Sequence, residues 1–300
     1  MVLQPSAGYA RVGLPAGSAR PHHPSGAAAA GFPLIVHADD FGETREITAG
    51  ICLGIEAGVV TSTSIMANMP GTQDALQRVQ ALAARASFGV HLNLCEGRPL
   101  RPMRTLVDRD GCFHGKRELF ARAVGGQLSL ADLEAEISAQ IALVRDFGVC
   151  ISHADGHKHL HQLPVVSTAV ANVLPRFAIQ RVRITRLGGL SRPRRPATWV
   201  RELCALQASR KFRGAGLRSP LRTVDLRPWA AGSVRANSAG DTLIDPVGAV
   251  ELCCHPGTAA GDVRKPGSHR RFAELEYLLS AGFSELLSRH RARLISYWDV

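Results

Sequence analysis

Aromatic side chains are scarce in this sequence: Phe, Trp and Tyr together make up 5% of its 300 residues. Single-strand nucleic-acid grooves depend on aromatic stacking, and no nucleic-acid module is recognisable, so no nucleic-acid partner is expected. Lysine is also rare, occurring only at Lys116, Lys158, Lys211 and Lys265, so arginine carries the formal net charge of +11. Such a balance can signal nucleic acid, anionic lipid or a phosphorylated substrate. Arg- and Ala-heavy usage also follows genome composition, so the charge by itself decides little. No apolar run approaches the roughly 18 residues that span a bilayer. No G-x-G-x-x-G or G-x-x-x-x-G-K-[ST] pattern occurs, which removes the main support for a Rossmann or P-loop site. The seven cysteines are odd in number and form no C-x-x-C pair. Most, including Cys52, Cys150, Cys253 and Cys254, lie in apolar runs. They read as buried thiols of a reducing, cytoplasmic compartment, not as a disulfide framework.

What remains is an ordinary globular composition, 45% hydrophobic and 20% charged, at a length that suits a single α/β barrel domain. Residues 1–31 are rich in Ala, Gly, Pro and Ser and are interrupted by Arg11 and Arg20. They make a poor signal peptide and read as a disordered extension, or as the product of a mis-assigned start codon. From Pro33 onward, short β-rich runs alternate with helical patterns. "PLIVHADDFG", "VVTSTSIMANM", "SFGVHLNL", "VCISHADGHKH", "IQRVRIT", "GAVELCCHPG" and "ARLISYWDV" read as strands. "REITAGICLGIEAG", "TQDALQRVQALAAR", "SLADLEAEISAQIALVRDFG", "LPVVSTAVANVL" and "RRFAELEYLLSAGFSELLSRH" read as helices. The segment 187–246 is irregular and Arg-rich, with at least one helix. This alternation predicts a parallel sheet with crossover helices in one domain over 32–300.

The unusual polar residues fall at the C-terminal ends of these strands: His37, Asp39 and Asp40; His91; His153, Asp155 and His157; His255; Asp299. In a parallel barrel such ends converge on the face where active sites are built. Two adjacent carboxylates inside a strand would diverge, but in a loop just past the strand both reach one site. Metal ligand and general base is one division of labour between them; a simple Asp/Gly turn is the other reading. His91 is either a packed core histidine or a ligand, with Asn93 on its face. In "ISHADGHKHLHQ", His153/His157 and His157/His161 share a face if the segment is helical, and His157/His159 if it is extended. One or two of these four suffice as metal ligands, with the others orienting them. Two histidines and a carboxylate fit Zn²⁺, another divalent ion or a non-haem Fe(II) oxygenase. The spare aspartate favours hydrolysis.

The segments "VHADDFG", "VTSTSIMAN", "GVHLNLCEGRPL", "SHADGHKHLH", "ELCCHPG" and "SYWDV", in this order over roughly 33–300, resemble the YdjC-like carbohydrate deacetylases. The resemblance implies a distorted (β/α) TIM-like barrel, one divalent metal ion (Mg²⁺ or Zn²⁺), and hydrolysis of an N-acetyl group on an amino sugar. It implies Asp40, His91 and His157 as metal ligands, Asp39 as general base and His255 beside the substrate. His37, Asn93, His153, Asp155, His159 and His161 then serve as supporting or substrate-contacting residues. His37 stands where many members have Asn. The segment 187–246 matches poorly and is the expected seat of substrate selectivity. The family's members are often dimeric, which implies a homodimer; the residues themselves are silent on this.

Two rival readings remain at this level. A metal-dependent phosphoesterase could use the same ligands, with the Arg-rich region holding phosphate. A non-catalytic sugar-binding barrel is the other, disfavoured by an intact Asp–Asp–His–His set. The Arg-rich region could meet anionic lipid or a diphosphate-linked substrate; a solvated basic surface is the simpler reading.

Overall fold

Strand alternation organises this protein into two buried layers of opposite polarity. In β1 (Phe32–Phe41), Leu34, Val36 and Ala38 belong to the large apolar cluster, while Ile35 packs separately with Ile295 and Tyr297. His37 and Asp39 share the face of Ile35, because successive strand side chains point to opposite sides. The same split recurs along the sheet. In β3 (Ser87–Leu92), Phe88, Val90 and Leu92 join the large cluster and leave Gly89 and His91 on the other face. In β4 (Ile151–Gly156), Ala154 joins it and leaves His153 and Asp155. In β6 (Val250–Cys254), Val250, Leu252 and Cys254 join it and leave Glu251 and Cys253. The apolar layer is covered by helices. The polar layer faces inward.

The computed structural model describes residues 31–185, 196–230, 248–258 and 268–300. All strand pairs are parallel, in the order β4-β3-β2-β1-β6-β5, with β2 at Ser62–Ile65 and β5 at Arg222–Asp225. Past β4 the sheet continues through single bridges: Ala154 with Val182, and Arg181 with Arg218. The chain from Arg218 then leads into β5, which pairs with β6, so the sheet closes on itself as an irregular barrel. β7 (Ala292–Leu294) pairs with the first residues of β1, end to end with β2 on the same edge, and Thr61 Oγ1 donates to the Ile295 carbonyl at 2.6 Å. Ile35, Ile295 and Tyr297 thereby pack at the end of the barrel opposite Asp39.

The outer layer comprises α1 (Arg45–Glu56), α2 (Thr72–Leu82), α3 (Lys116–Val124), α4 (Leu130–Asp146), α5 (Pro164–Val173), α6 (Pro196–Gly214), α7 (Arg227–Ala230), α8 (Ser268–Leu278) and α9 (Ala281–Arg289). α1 starts where the Thr44 hydroxyl accepts the Ile47 N–H, and it buries Ile47, Ile51 and Ile55 at helical spacing. α5 opens on Pro164, whose missing N–H costs nothing at a first turn.

Several expectations change. The run "RRFAELEYLLSAGFSELLSRH" is two helices, because the Ser280 hydroxyl accepts the Phe283 N–H and starts α9 afresh. "IQRVRIT" forms bridges only, although its backbone bonds to β4 on one side and to Arg218 on the other. Cys150 is exposed at the turn before β4, so it is not a buried thiol. Asp299 does not reach the site: its Oδ2 accepts the Ser296 N–H at 2.8 Å and caps the final turn, near the N-terminal end of β1. Residues 1–30 of the expected extension, and 187–195 and 231–246 of the Arg-rich segment, lie outside the described residues.

Candidate active site

Both aspartates lie within β1, not in a loop after it. The register with β2 breaks between Ala38 and Phe41, and Asp40 takes a left-handed backbone, φ 71°. Asp tolerates this region better than most residues. The bulge turns Asp40 away from the position that strict alternation would assign, so consecutive carboxylates serve two neighbouring sites.

Asp40 gathers the first site. Its Oδ1 lies 2.9 Å from His157 Nδ1 and 3.2 Å from His91 Nε2, and its Oδ2 accepts from Arg271 at 2.6 Å. His91 is held from behind: its Nδ1 lies 2.9 Å from Asp155 Oδ1 and 3.0 Å from Ser64 Oγ. That leaves Nε2 directed at Asp40 with no hydrogen-bond partner. His157 Nε2 lies 3.4 Å from Glu96 Oε1 and is likewise without a hydrogen bond. Burial opposes charge on all three central groups, yet the neighbours prevail. Asp40 is held well below the usual carboxylate range by His157, His91 and Arg271; His91 and His157 are raised by the carboxylates around them.

Asp40, His91 and His157 can each turn one ligand atom to a common point, these atoms lying within 4.8 Å of one another. The donor set, one carboxylate oxygen and two imidazole nitrogens, suits a divalent ion with open positions. The unsatisfied buried nitrogens and the carboxylate-backed His91 fit such an ion. Other groupings among the described residues include Asp39 or Asp155, and an arginine already neutralises both.

That arginine is Arg183, fully buried in the barrel and absent from the sequence-based expectations. Its Nη2 and Nη1 donate to Asp39 Oδ1 and Oδ2 at 2.7 and 2.8 Å; Nη1 lies 2.7 Å from Asp155 Oδ2; Nε and Nη2 donate to Glu251 Oε1 at 2.9 and 2.6 Å. Burial would raise the Asp39 carboxyl, but Arg183 brings it below the usual carboxylate range. On its open side Asp39 Oδ2 lies 3.8 Å from His255 Nε2. The His255 backbone N–H donates to Glu274 Oε2 at 2.6 Å, and its side chain is 23% exposed, so it can meet an incoming molecule. Burial would lower its pKa, but Glu274, Asp39 and Asp40 raise it.

The remaining expected residues are scaffolding by their contacts. His37 sits between Ser62 and Ser64 hydroxyls at 2.9 and 3.1 Å, beneath Asp39 and Asp155. Asn93 ties the loop after β3, accepting the Cys95 and Glu96 N–H groups. His153 stacks on Tyr297 at 3.7 Å and lies against Gly89, where a Cβ would meet its ring at 2.5 Å. His161 Nε2 lies 2.9 Å from the Arg183 carbonyl, steadying the segment that carries Arg183. His159 Nδ1 lies 3.3 Å from the Thr185 hydroxyl. The histidine run is half strand and half 3₁₀: β4 carries His153, and the turns over His157–Gln162 are broken by left-handed Lys158 and His159. Burial holds His37, His153, His159 and His161 below the ordinary imidazole value, His161 at about 4. They stay neutral, while His91, His157 and His255 favour a proton or another cation.

Arg183 and Glu251 had a legible signal, each being a charge inside an apolar strand that requires a buried partner. Arg271 and Glu274 lie on α8 and carried none.

A parallel α/β barrel with a carboxylate–imidazole cluster at its C-terminal strand ends is an enzyme-like scaffold of the TIM-barrel class. The sequence pattern of the YdjC-like protein family matches residues 33–289, and the chain belongs to that family. A human protein named carbohydrate deacetylase is 37% identical over 174 residues, covering 56% of this chain and 51% of that protein. The match thus spans about half the length of that relative. A Yersinia enterocolitica protein named chitooligosaccharide deacetylase is 30% identical, covering 89% of this chain and 98% of that one. In fold, the chain resembles a solved Enterococcus faecalis V583 protein, described as a candidate for cellobiose-phosphate cleavage. The TM-score is 0.71 at 22% identity, covering 90% of this chain and 98% of that one. The barrel implied by the sequence resemblance is the fold observed.

Proposed function

We propose that this chain hydrolyses the N-acetyl group of an N-acetylated amino sugar or its glycoconjugate, giving acetate and the free amine. The observation that carries this reading is the β1 bulge. It sends Asp40 to His91 and His157 and leaves Asp39 between Arg183 and His255. A divalent ion, Mg²⁺ or Zn²⁺, held by Asp40, His91 and His157 would polarise the amide carbonyl and acidify water. Asp155 and Ser64 orient His91 for that role. Asp39 accepts the proton of the attacking water as its oxygen bonds to the carbonyl carbon. Arg183 keeps Asp39 ionised and aimed, and lowers its proton affinity so that the proton is readily passed on. His255 sits at the mouth with a raised pKa and gives a proton to the nitrogen as the C–N bond breaks. The names carried by the relatives point to a saccharide substrate. The cysteine pattern supports a reducing, cytoplasmic setting. Among the described residues, no helix is long and apolar enough to cross a membrane.

The test is acetate release from short chitin oligomers and from lipid-linked, nucleotide-linked and glycosidic N-acetylglucosamine, with and without chelator. Chelator-sensitive release is expected from at least one. Turnover of a generic phosphate ester without any deacetylation would replace this reading with a phosphoesterase.

A further inference from the structure

Beside Asp39, on the inward face of the sheet, stands a thiol that the chemistry above does not use. Alternation along β6 sends Cys254 into the apolar layer, where its Sγ donates to the His37 carbonyl at 3.3 Å, and turns Cys253 into the barrel. The parallel register sets Cys253 opposite His37, on the face that Asp39 shares. Cys253 Sγ, one Asp39 oxygen and one His255 nitrogen lie within 4.8 Å of one another. Asp39 Oδ2 and His255 Nε2 are 3.8 Å apart. Ligand atoms about 2.0–2.3 Å from a tetrahedral ion stand roughly 3.3–3.7 Å from each other, so small side-chain rotations complete the geometry. His255 is partly exposed, which leaves an approach from the mouth and a fourth position for water.

Arg183 does not close this site. It takes one lone-pair direction of each Asp39 oxygen, and a carboxylate oxygen has two. Its charge does disfavour an ion held by electrostatics alone. A hard ion such as Mg²⁺ gains little from sulfur, whereas a thiophilic ion gains a strong bond. Thiolate, imidazole and carboxylate together therefore select Zn²⁺ or Cd²⁺ over Mg²⁺. The cluster of Asp40, His91 and His157 contains no sulfur and makes no such distinction.

We infer that Asp39, Cys253 and His255 form a second, inhibitory site for a thiophilic divalent ion. The Cys253 Sγ–H proton leaves to solvent as the metal–sulfur bond forms. The consequence rests on the deacetylase reading: an ion here occupies the groups assigned to accept and to give protons. Turnover then stops while the first site stays filled.

The test adds Cd²⁺ to the full chain already holding its first ion. It follows thiolate-to-cadmium charge-transfer absorption in the ultraviolet together with the bound-metal content. Acetate release from the sugars above is then measured in excess Zn²⁺ and in excess Mg²⁺. The wild type is expected to take up a further ion with the thiolate band, and to lose activity roughly tenfold or more in excess Zn²⁺ but not in excess Mg²⁺. C253A leaves Asp39 and His255 in place; it should show no band and lose activity about twofold at most. C253S, which keeps the volume but offers only a hydroxyl, should match C253A and so exclude a packing defect. No band in the wild type, or a band or inhibition that survives both variants, overturns the site. A further ion bound with the band but undiminished acetate release overturns the inhibitory role. A Cys253-dependent band without acetate release from any sugar keeps the site and rejects the deacetylase reading.

Discussion

Arg183 clasps Asp39 through two parallel hydrogen bonds of 2.7 and 2.8 Å while its remaining donors face Asp155 and Glu251. One guanidinium thus organises the carboxylates contributed by β1, β4 and β6 beneath the site. Removing it would strand three buried acids. Arg183→Met is expected to lower unfolding free energy by roughly 3–5 kcal/mol, the usual cost of orphaning buried charge. Arg183→Lys should recover little, because an ammonium cannot reproduce the fork. Urea denaturation of both variants checks this.

Asp39→Asn keeps the shape but cannot accept the proton. Its kcat should drop by about 10²- to 10⁴-fold, with metal content unchanged. Near-normal turnover would transfer the base to another group.

His157→Ala removes a proposed ligand atom, whereas Asp155→Asn weakens only the bond behind His91. Elemental analysis after dialysis should find metal lost from the first. The second should bind it roughly 10- to 100-fold more weakly. Full occupancy in His157→Ala would move the ligand role to another histidine of the run.

Glu96 is a pH probe at the rim. The His157 imidazole 3.4 Å away, then the Lys158 ammonium, bring its pKa from 4.5 down to about 2, against the opposing effect of burial. A depressed carboxyl contributes stability that is fully present above its unfolded value. The contribution is lost as pH falls through its folded value. Denaturation midpoints of wild type and Glu96→Gln should therefore differ above pH 4.5 and converge toward about pH 2.

Gly89 is required by a ring, not by a turn. Gly89→Ala would press a methyl into His153, which Tyr297 backs at 3.7 Å. A loss of about 1–3 kcal/mol is expected from overpacking. A thermal midpoint equal to wild type would show that the ring can move aside.

Alternation along each strand was written in the residues: apolar toward the helices, His, Asp, Glu or Ser toward the barrel. Such a pattern leaves few choices other than a parallel sheet closed around a polar interior. That the polar ends of β1, β3 and β4 converge also followed from local information, since parallel strands bring those ends together; the particular trio Asp40, His91 and His157 was implied only by the family resemblance. Local information failed where a distant partner set the outcome. Asp299 ends a strand-like run, but β7 pairs low on β1 and leaves it far from the site. The four histidines from His153 to His161 look alike in sequence. Only packing separates the ring stacked on Tyr297, the ring facing Asp40 and the ring steadying Arg183.

The order and polarity of the strands were determined by sequence alone, because side-chain period and burial act over a few residues. Which carboxylate meets two imidazoles and which meets an arginine was decided by the tertiary structure. A one-residue bulge turns Asp40 toward β3 and the turn after β4, and the chain past α5 brings Arg183 across 144 residues to Asp39. Electrostatic roles of buried groups depend on neighbours within a few ångströms, and only the closed barrel supplies them.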